Sequence, residues 1–267
     1  MSPVVVLVSP LAIGGPRASF ALERLGLTAL HLPTALDGRT PGQRQPVADA
    51  AFAALAADLP RAGVGAVVLG RSASPAQAAA TAGLVAAIKA ESPAALIVAE
   101  WPDDQRDLAG VDVAVIGLKR LAALSGQPLD DPTALGAAAR ALGPARVVVT
   151  AAPALMSGKT ATALVGSTDI LLAEVTNHTD APAAPGDLVG ALFAARLLAG
   201  ADDEKALMLT AATLFEIAAR SRAAGSAELD LPAQQAAIIR PTAMVDMRRL
   251  GGVRRRAVAR PTPLAGL

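Results

Sequence analysis

An α/β fold with a mostly parallel central sheet, covered by helices on both faces in three layers, is what this sequence predicts, and three observations predict it. Short Val, Ile and Leu runs alternate with longer alanine-rich segments along most of the chain, the pattern of strands joined by crossover helices. The first run, Val4–Val8, is unbroken Val and Leu, as expected of a strand buried on both faces. The 267 residues are 53% hydrophobic but only 2% aromatic, so a sizeable core is available. Any pocket must be lined mainly by aliphatic groups and backbone.

The elements follow in order. Val4–Val8 is a strand, Ala18–Leu25 a helix closed by Gly26, and Thr28–Leu32 a second strand. Pro33–Pro46 reads as a polar loop because it carries LDGRTPGQRQ. Val47–Asp58 is helical, Ala66–Leu69 a strand, and Pro75–Glu91 a helix with proline at its first position. Ala95–Glu100 and Val111–Ile116 are strands joined through the loop WPDDQRDLAG. Lys119–Leu124 and Pro132–Leu142 are helical, and Arg146–Thr150 is a strand. Thr160–Val165 and Ile170–Val175, separated by GSTD, form an antiparallel hairpin. After the loop NHTDAPAAPG come two long helices, Asp187–Leu198 and Asp203–Ala223, and a short one, Pro232–Ile239. Residues 1–240 form one domain. Residues 241–267 hold six arginines against the single acid Asp246 and read as a flexible basic tail.

Charge and composition exclude several function classes. A net charge of +1 gives no field for nucleic acid or a membrane surface. With no cysteine, disulfide and thiolate chemistry and Cys-based zinc sites are ruled out. The opening MSPVVVLVSP has no basic segment before its short apolar run, so it reads as a strand rather than a signal or a span, and the expected location is the cytoplasm. His31 and His178 have no ligand spacing to each other and read as strand-end or surface residues.

Two segments carry candidate chemistry. MSGKTA places Gly158, Lys159 and Thr160 as a phosphate-binding loop would, but Pro153 stands at the first glycine position. Proline lacks an N–H, and a strand pattern follows where a helix is needed. The segment is read as the entry to the hairpin, with Lys159 solvated. Ala184–Gly200, APGDLVGALFAARLLAG, is a small-residue loop opening a strongly apolar helix with Asp187 at its start. Backbone N–H groups at such a helix start hold phosphate oxygens, and an adjacent carboxylate can take a proton from an attacking hydroxyl. The plain alternative is that Asp187 is the N-cap of the helix and nothing more.

This segment resembles the signature of the ribokinase superfamily, Gly-Thr-Gly-Asp followed by an apolar helix. The resemblance implies a ribokinase-like α/β/α sandwich, Asp187 as catalytic base and Gly186 as an anion-hole donor. Ala184 and Pro185 replace the first two positions. Thr213–Pro241, with Glu228-Leu229, Gln235 and the closing Pro241, is similar to the C-terminal helices of the pyridoxal kinase branch. SPLAIGG from Ser9 resembles that branch's loop after the first strand, and HLPT its strand end, which implies substrate contacts by Ser9 and Thr34. LGRSASPAQ resembles its Gly-Tyr-Leu-Gly-Ser segment, with Gly70 and Ser74 matching and Arg71 in place of Tyr. Thr150 falls where the family has a strand-end residue near the nucleotide phosphates. Glu100, in AEWPDD, stands near the family's acid for magnesium, and Ala122 where another magnesium-associated Glu would be.

The resemblance therefore implies a phosphotransferase that uses ATP and Mg²⁺ to phosphorylate the 5′-hydroxyl of pyridoxal or a related pyridine or pyrimidine alcohol, acting as a homodimer. The altered metal, ring-gripping and nucleotide motifs support a second expectation, a catalytically degraded relative that binds a ligand or protein partner.

Overall fold

The structure, a computed structural model, describes residues 3–12, 17–38, 42–101, 110–178 and 180–251. Val4–Ala12 (β1) has Val5–Ser9 buried, so its unbroken aliphatic run is covered on both sides. Arg17–Arg24 (α1) leads to Thr28–Asp37 (β2), which pairs parallel to β1. Arg44–Pro46 (β3) follows, then Asp49–Asp58 (α2), Val64–Leu69 (β4), Pro75–Glu91 (α3) and Leu96–Glu100 (β5). Val113–Gly117 (β6), Leu118–Ser125 (α4), Pro132–Arg140 (α5) and Arg146–Pro153 (β7) continue the alternation. Lys159–Val165 (β8) and Asp169–Thr176 (β9) form the hairpin expected around GSTD. Gly186–Leu198 (α6), Asp203–Ala223 (α7), Gln235–Ile239 (α8) and Asp246–Gly251 (β10) complete the described chain.

Among the described residues the strands form one sheet in the order β10-β9-β8-β7-β6-β5-β4-β1-β2-β3. Its six middle strands, β7 to β2, are parallel, and the flanking pairs are antiparallel. This is the predicted three-layer fold. One face is covered by α1, α6 and α7, the other by α2, α3, α4 and α5. The central helix is α6. Leu188–Ala195 are all buried, because this helix lies between the sheet and α1 and α7. Burying Leu188, Leu192 and Phe193 stabilises the fold by roughly 1.5–3 kcal/mol each. A Cβ on Gly190 would come within 3.0 Å of Val98 Cγ1, so glycine there lets the helix sit close to the strands.

Chain order reverses between β4 and β1, so a crevice is expected at the carboxyl ends of those strands. Ser9 and Gly70 meet there. The Gly70 N–H donates to Val8 O at 2.7 Å, and a Cβ on Gly70 would fall 2.7 Å from that of Ser9.

Two expectations are corrected. The polar stretch after Leu32 is not all loop: β2 runs on to Asp37, where Leu11 and Ala12 pair with Leu36 and Asp37, and β3 returns against it. Pro33 is tolerated because β3 joins only at Ala35–Asp37, leaving β1 as the single neighbour at that level. The segment after Pro241 is not wholly a tail, since β10 pairs with β9 from Asp246 to Gly251. Its charges are partnered: Lys159 with Asp246, Arg248 with the buried Glu174 at 3.6 Å, and Arg249 with both Asp169 and Glu204. The strand is held from behind by buried Glu216 on α7, which accepts from the N–H groups of Thr242 and Ala243. The rest of the basic segment, residues 252–267, lies outside the described residues, as does most of the WPDDQRDLAG loop.

Candidate functional site

The site is built around the start of α6. Its N-cap is Pro185, in an extended conformation and with no side-chain cap. The expectation that Asp187 is the N-cap is therefore corrected: the helix begins one residue earlier, and Asp187 sits inside its first turn. Its Oδ1 accepts from the N–H of Leu188 at 2.8 Å. Negative charge in a first turn is favourable, because the helix dipole and unpaired N–H groups make that end positive. Gly186 packs closely against a neighbouring side chain. A Cβ there would lie 2.6 Å from Glu100 Cδ and 2.8 Å from its Oε1. The carboxylate arm of Glu100, at the end of β5, thus lies against the first residue of α6.

Thr150 reaches the same place from β7. The register between β7 and β8 shifts between Val149 and Ala152, and Ala151 takes φ 55°. A non-glycine residue in the left-handed region costs about 1 kcal/mol, so the bulge is a strained turn-out of the strand. Opposite Thr150 stands Gly117, whose missing side chain leaves space beside Thr150 Oγ1.

These residues open into two adjoining cavities. The first, 310 Å³, is lined by Arg71, Glu100, Trp101, Arg120, Thr150 and Gly186, among others. Among the described residues its charged lining is Arg71, Arg120 and Glu100. The second, 280 Å³, lies between the β8–β9 hairpin and α7. It is lined by Thr160, Thr162, Asn177, Ala184 and small residues of α7, and one end is closed by His178 stacked on Phe215, with ring centroids 5.5 Å apart and planes 16° apart. Thr150 and Ala184 line both cavities. A larger cavity, 500 Å³, lies between α3 and β5, but its walls are mainly Ala, Val and Leu. Its polar lining, Ser72, Thr81, Lys89, Glu100 and Asp112, includes the Lys89–Asp112 ion pair, which leaves less of it open to a ligand.

Of the residues singled out in the sequence, Glu100, Thr150 and Gly186 come together. Asp187 adjoins them but lines neither cavity, its carboxylate being turned onto Leu188. Ser9 is buried at the β1–β4 crevice, with its hydroxyl 3.2 Å from His31 Nε2. Thr34 is fully buried, donates to Arg71 O at 2.7 Å, and its carbonyl accepts from Gln77 Nε2. That hydroxyl is committed to holding the Arg71 backbone, so the structure gives Thr34 a framework position rather than an open one. Lys159, read as solvated, pairs with Asp246. Of the stretches around residues 11–17 and 34–40, where the resemblance places the groups that grip the pyridoxal ring, residues 13–16, 39 and 40 lie outside the described residues.

Sequence reasoning missed Arg120, which lay in a stretch examined only for its lost Glu. It treated Arg71 only as a substitution for Tyr. It also missed the His178–Phe215 stack, because the pair joins two segments 37 residues apart in sequence. The rarity of aromatic residues was the one available signal.

Among the described residues, those at this site do not suit a resident divalent cation. No group of three or more His, Cys, Asp or Glu side chains able to hold a metal occurs among the described residues. Glu100, the expected metal acid, shares its cavity with two guanidiniums, whose positive charge opposes a second cation.

No family model matches the sequence, and no curated protein is similar to it. Solved structures are similar in fold. Pyridoxal kinase from Leishmania donovani, in complex with ADP and ginkgotoxin, matches with a TM-score of 0.79 at 18% identity, over 93% of this chain and 100% of that one. Pyridoxal kinase from Entamoeba histolytica matches with a TM-score of 0.78 at 12% identity, over 94% of this chain and 100% of that one. A putative phosphomethylpyrimidine kinase from Bacteroides thetaiotaomicron, in a form with pyridoxal, gives 0.76 at 19% identity over 94% and 100%. The chain has the fold of these kinases.

Proposed function

We propose that this chain is a pyridoxal kinase-like phosphotransferase, which transfers the γ-phosphate of ATP to the 5′-hydroxyl of pyridoxal or a related pyridine or pyrimidine alcohol. The observation that carries this reading is the pair of cavities sharing Thr150: one with an aromatic stack suits a nucleobase, and one with arginines and a helix start suits phosphates. The fold shared with ADP- and pyridoxal-bound kinases supports it. In this reading the alcohol enters from the Ser9 crevice. Asp187 leaves the Leu188 N–H and takes the alcohol proton as the oxygen attacks the γ-phosphorus. The bond from that phosphorus to the bridging oxygen breaks, and ADP departs. Thr150, the Gly186 N–H and the arginines hold the phosphoryl oxygens. Positioning and charge compensation supply most of the acceleration in such transfers. The reading carries a homodimer with it.

The second reading, a non-catalytic relative, is favoured by the committed hydroxyl of Thr34 and by the carboxylate of Asp187 turned away from both cavities. One assay separates the two. Purified protein is mixed with ATP, Mg²⁺ and pyridoxal, and pyridoxal phosphate is followed by absorbance, with Asp187→Ala alongside. Turnover that is lost in the variant supports both the transfer and the base. Turnover that persists in the variant removes Asp187 from the role. Absence of turnover in the unsubstituted protein sinks the transfer and leaves the binding reading.

A further inference from the structure

We infer that the cavity between β5, β6 and the start of α6 is a metal-independent phosphate site, clamped by Arg71 and Arg120 and opposed by Glu100. The ligand class is a phosphate or diphosphate group of a small molecule. The inference deepens the proposed function by naming how this chain handles phosphate charge.

Four observations carry it. Arg71, at the end of β4, and Arg120, in the first turn of α4, line one 310 Å³ cavity from different elements. Guanidiniums present several N–H donors in a planar fork that matches phosphate oxygens, and need not be idle beforehand to contribute one or two. Thr150 adds a hydroxyl from β7, turned out by the strained residue at 151. The uncapped start of α6 lies on the same wall, with glycine at its first position. Finally, the carboxylate of Glu100, the acid that lines this cavity among the described residues, lies against Gly186, where it adds negative charge at the place a phosphate oxygen would approach. A metal-based site needs that carboxylate; an arginine-based site is weakened by it. The two designs therefore predict opposite signs for the same substitution.

The test uses inorganic pyrophosphate, which has neither base nor pyridine ring, titrated calorimetrically into the full chain in EDTA and in Mg²⁺. Binding in EDTA, with an affinity that Mg²⁺ does not raise, is expected. Arg120→Gln and Arg71→Gln should each weaken it about tenfold, the loss of a charge-assisted contact. Glu100→Gln should tighten it severalfold. Circular dichroism melts identify any variant that fails to fold, and Glu100→Gln, expected to gain affinity, keeps the inference falsifiable if an arginine variant does. Binding that needs Mg²⁺, weakens in Glu100→Gln, or is absent in both buffers overturns the inference. ADP and pyridoxal 5′-phosphate are titrated in the same way. Arginine-dependent, EDTA-insensitive binding of either supports the site and identifies the source of the phosphate, and loss of that dependence for both overturns it. A chain that binds pyrophosphate in EDTA yet never phosphorylates pyridoxal upholds this site and sinks the transfer. Turnover with pyrophosphate binding only in Mg²⁺ does the reverse.

Discussion

Removing the carboxylate of Glu216 should loosen the C-terminal strand without touching the rest of the sheet. The side chain is buried on α7 and accepts from Thr242 N at 2.6 Å, Ala243 N at 3.2 Å and Thr242 Oγ1 at 3.2 Å, with Arg220 one turn along. Glu216→Ala leaves two backbone N–H groups without that acceptor. At about 1.5 kcal/mol for each hydrogen bond to a charged group, the loss is about 3 kcal/mol, or about 5 °C in Tm for a chain of this size. Glu216→Gln keeps one acceptor oxygen and should lose about half as much. Burial raises the affinity of this carboxyl for a proton, but the Thr242 and Ala243 N–H groups and Arg220 outweigh it, so its pKa lies below the ordinary value. The stabilisation is therefore complete above the unfolded-state pKa of about 4.3 and is lost as pH falls through the lowered folded value. Glu216→Gln should flatten that acid limb. Urea unfolding between neutral and acid pH gives the energies, and hydrogen exchange of Asp246–Gly251 locates them. A loss under about 1 kcal/mol in Glu216→Ala, or unchanged protection of β10, would refute the anchoring role.

Other outcomes follow from the same reasoning. Gln77, fully buried, donates to Thr34 O at 3.0 Å and Val47 O at 2.8 Å and accepts from Ala73 N at 3.0 Å; Gln77→Leu should cost about 3 kcal/mol in chemical denaturation, since it removes three hydrogen bonds that join β2, α3 and the segment between them. The Arg44 hydrogen bond, with smaller help from the charges of Arg44 and Arg71, holds Asp37 below the usual carboxylate range. The contact between β2 and β3 should therefore persist above the unfolded value of about 3.9 and weaken as pH falls through the lowered one, seen as faster exchange at Ala35–Asp37 that Arg44→Ala makes pH-independent. Phe215→Ala, which removes one ring of the stack, should lower ADP affinity about tenfold by calorimetry while leaving pyrophosphate binding intact; an unchanged ADP affinity would dismiss this cavity as the base site.

Local chemistry decided what could be read from the chain alone. Strands such as β1 and β7 were legible because burial on both faces demands unbroken aliphatic runs, and α3 because Pro75 and the capping Ser74 mark its start. β10 was not legible: its arginines resemble a solvated tail until their acids arrive from β9 and α7. The run of β2 beyond Pro33 depends on an equal extension of β1, which no local pattern states. At the candidate site, Gly186, Glu100 and Thr150 drew notice because each lies near a recognisable start or end of an element in the sequence pattern. Arg71 and Arg120 were passed over because their meaning lies in lining one cavity from separate elements, and the bond from the Thr34 hydroxyl to Arg71 O is a contact that a chain read alone does not show.

Thr150 forms part of the wall between two rooms. A molecule entering either one meets Thr150, while the strained Ala151 lines only the second, so any coupling between the two occupants would run through that shared wall. Whatever factor the first occupant imposes on the affinity of the second, the second must impose on the first. Titrating one compartment at fixed occupancy of the other would read out the strength of any such link, and an unchanged affinity would show the two rooms to be independent.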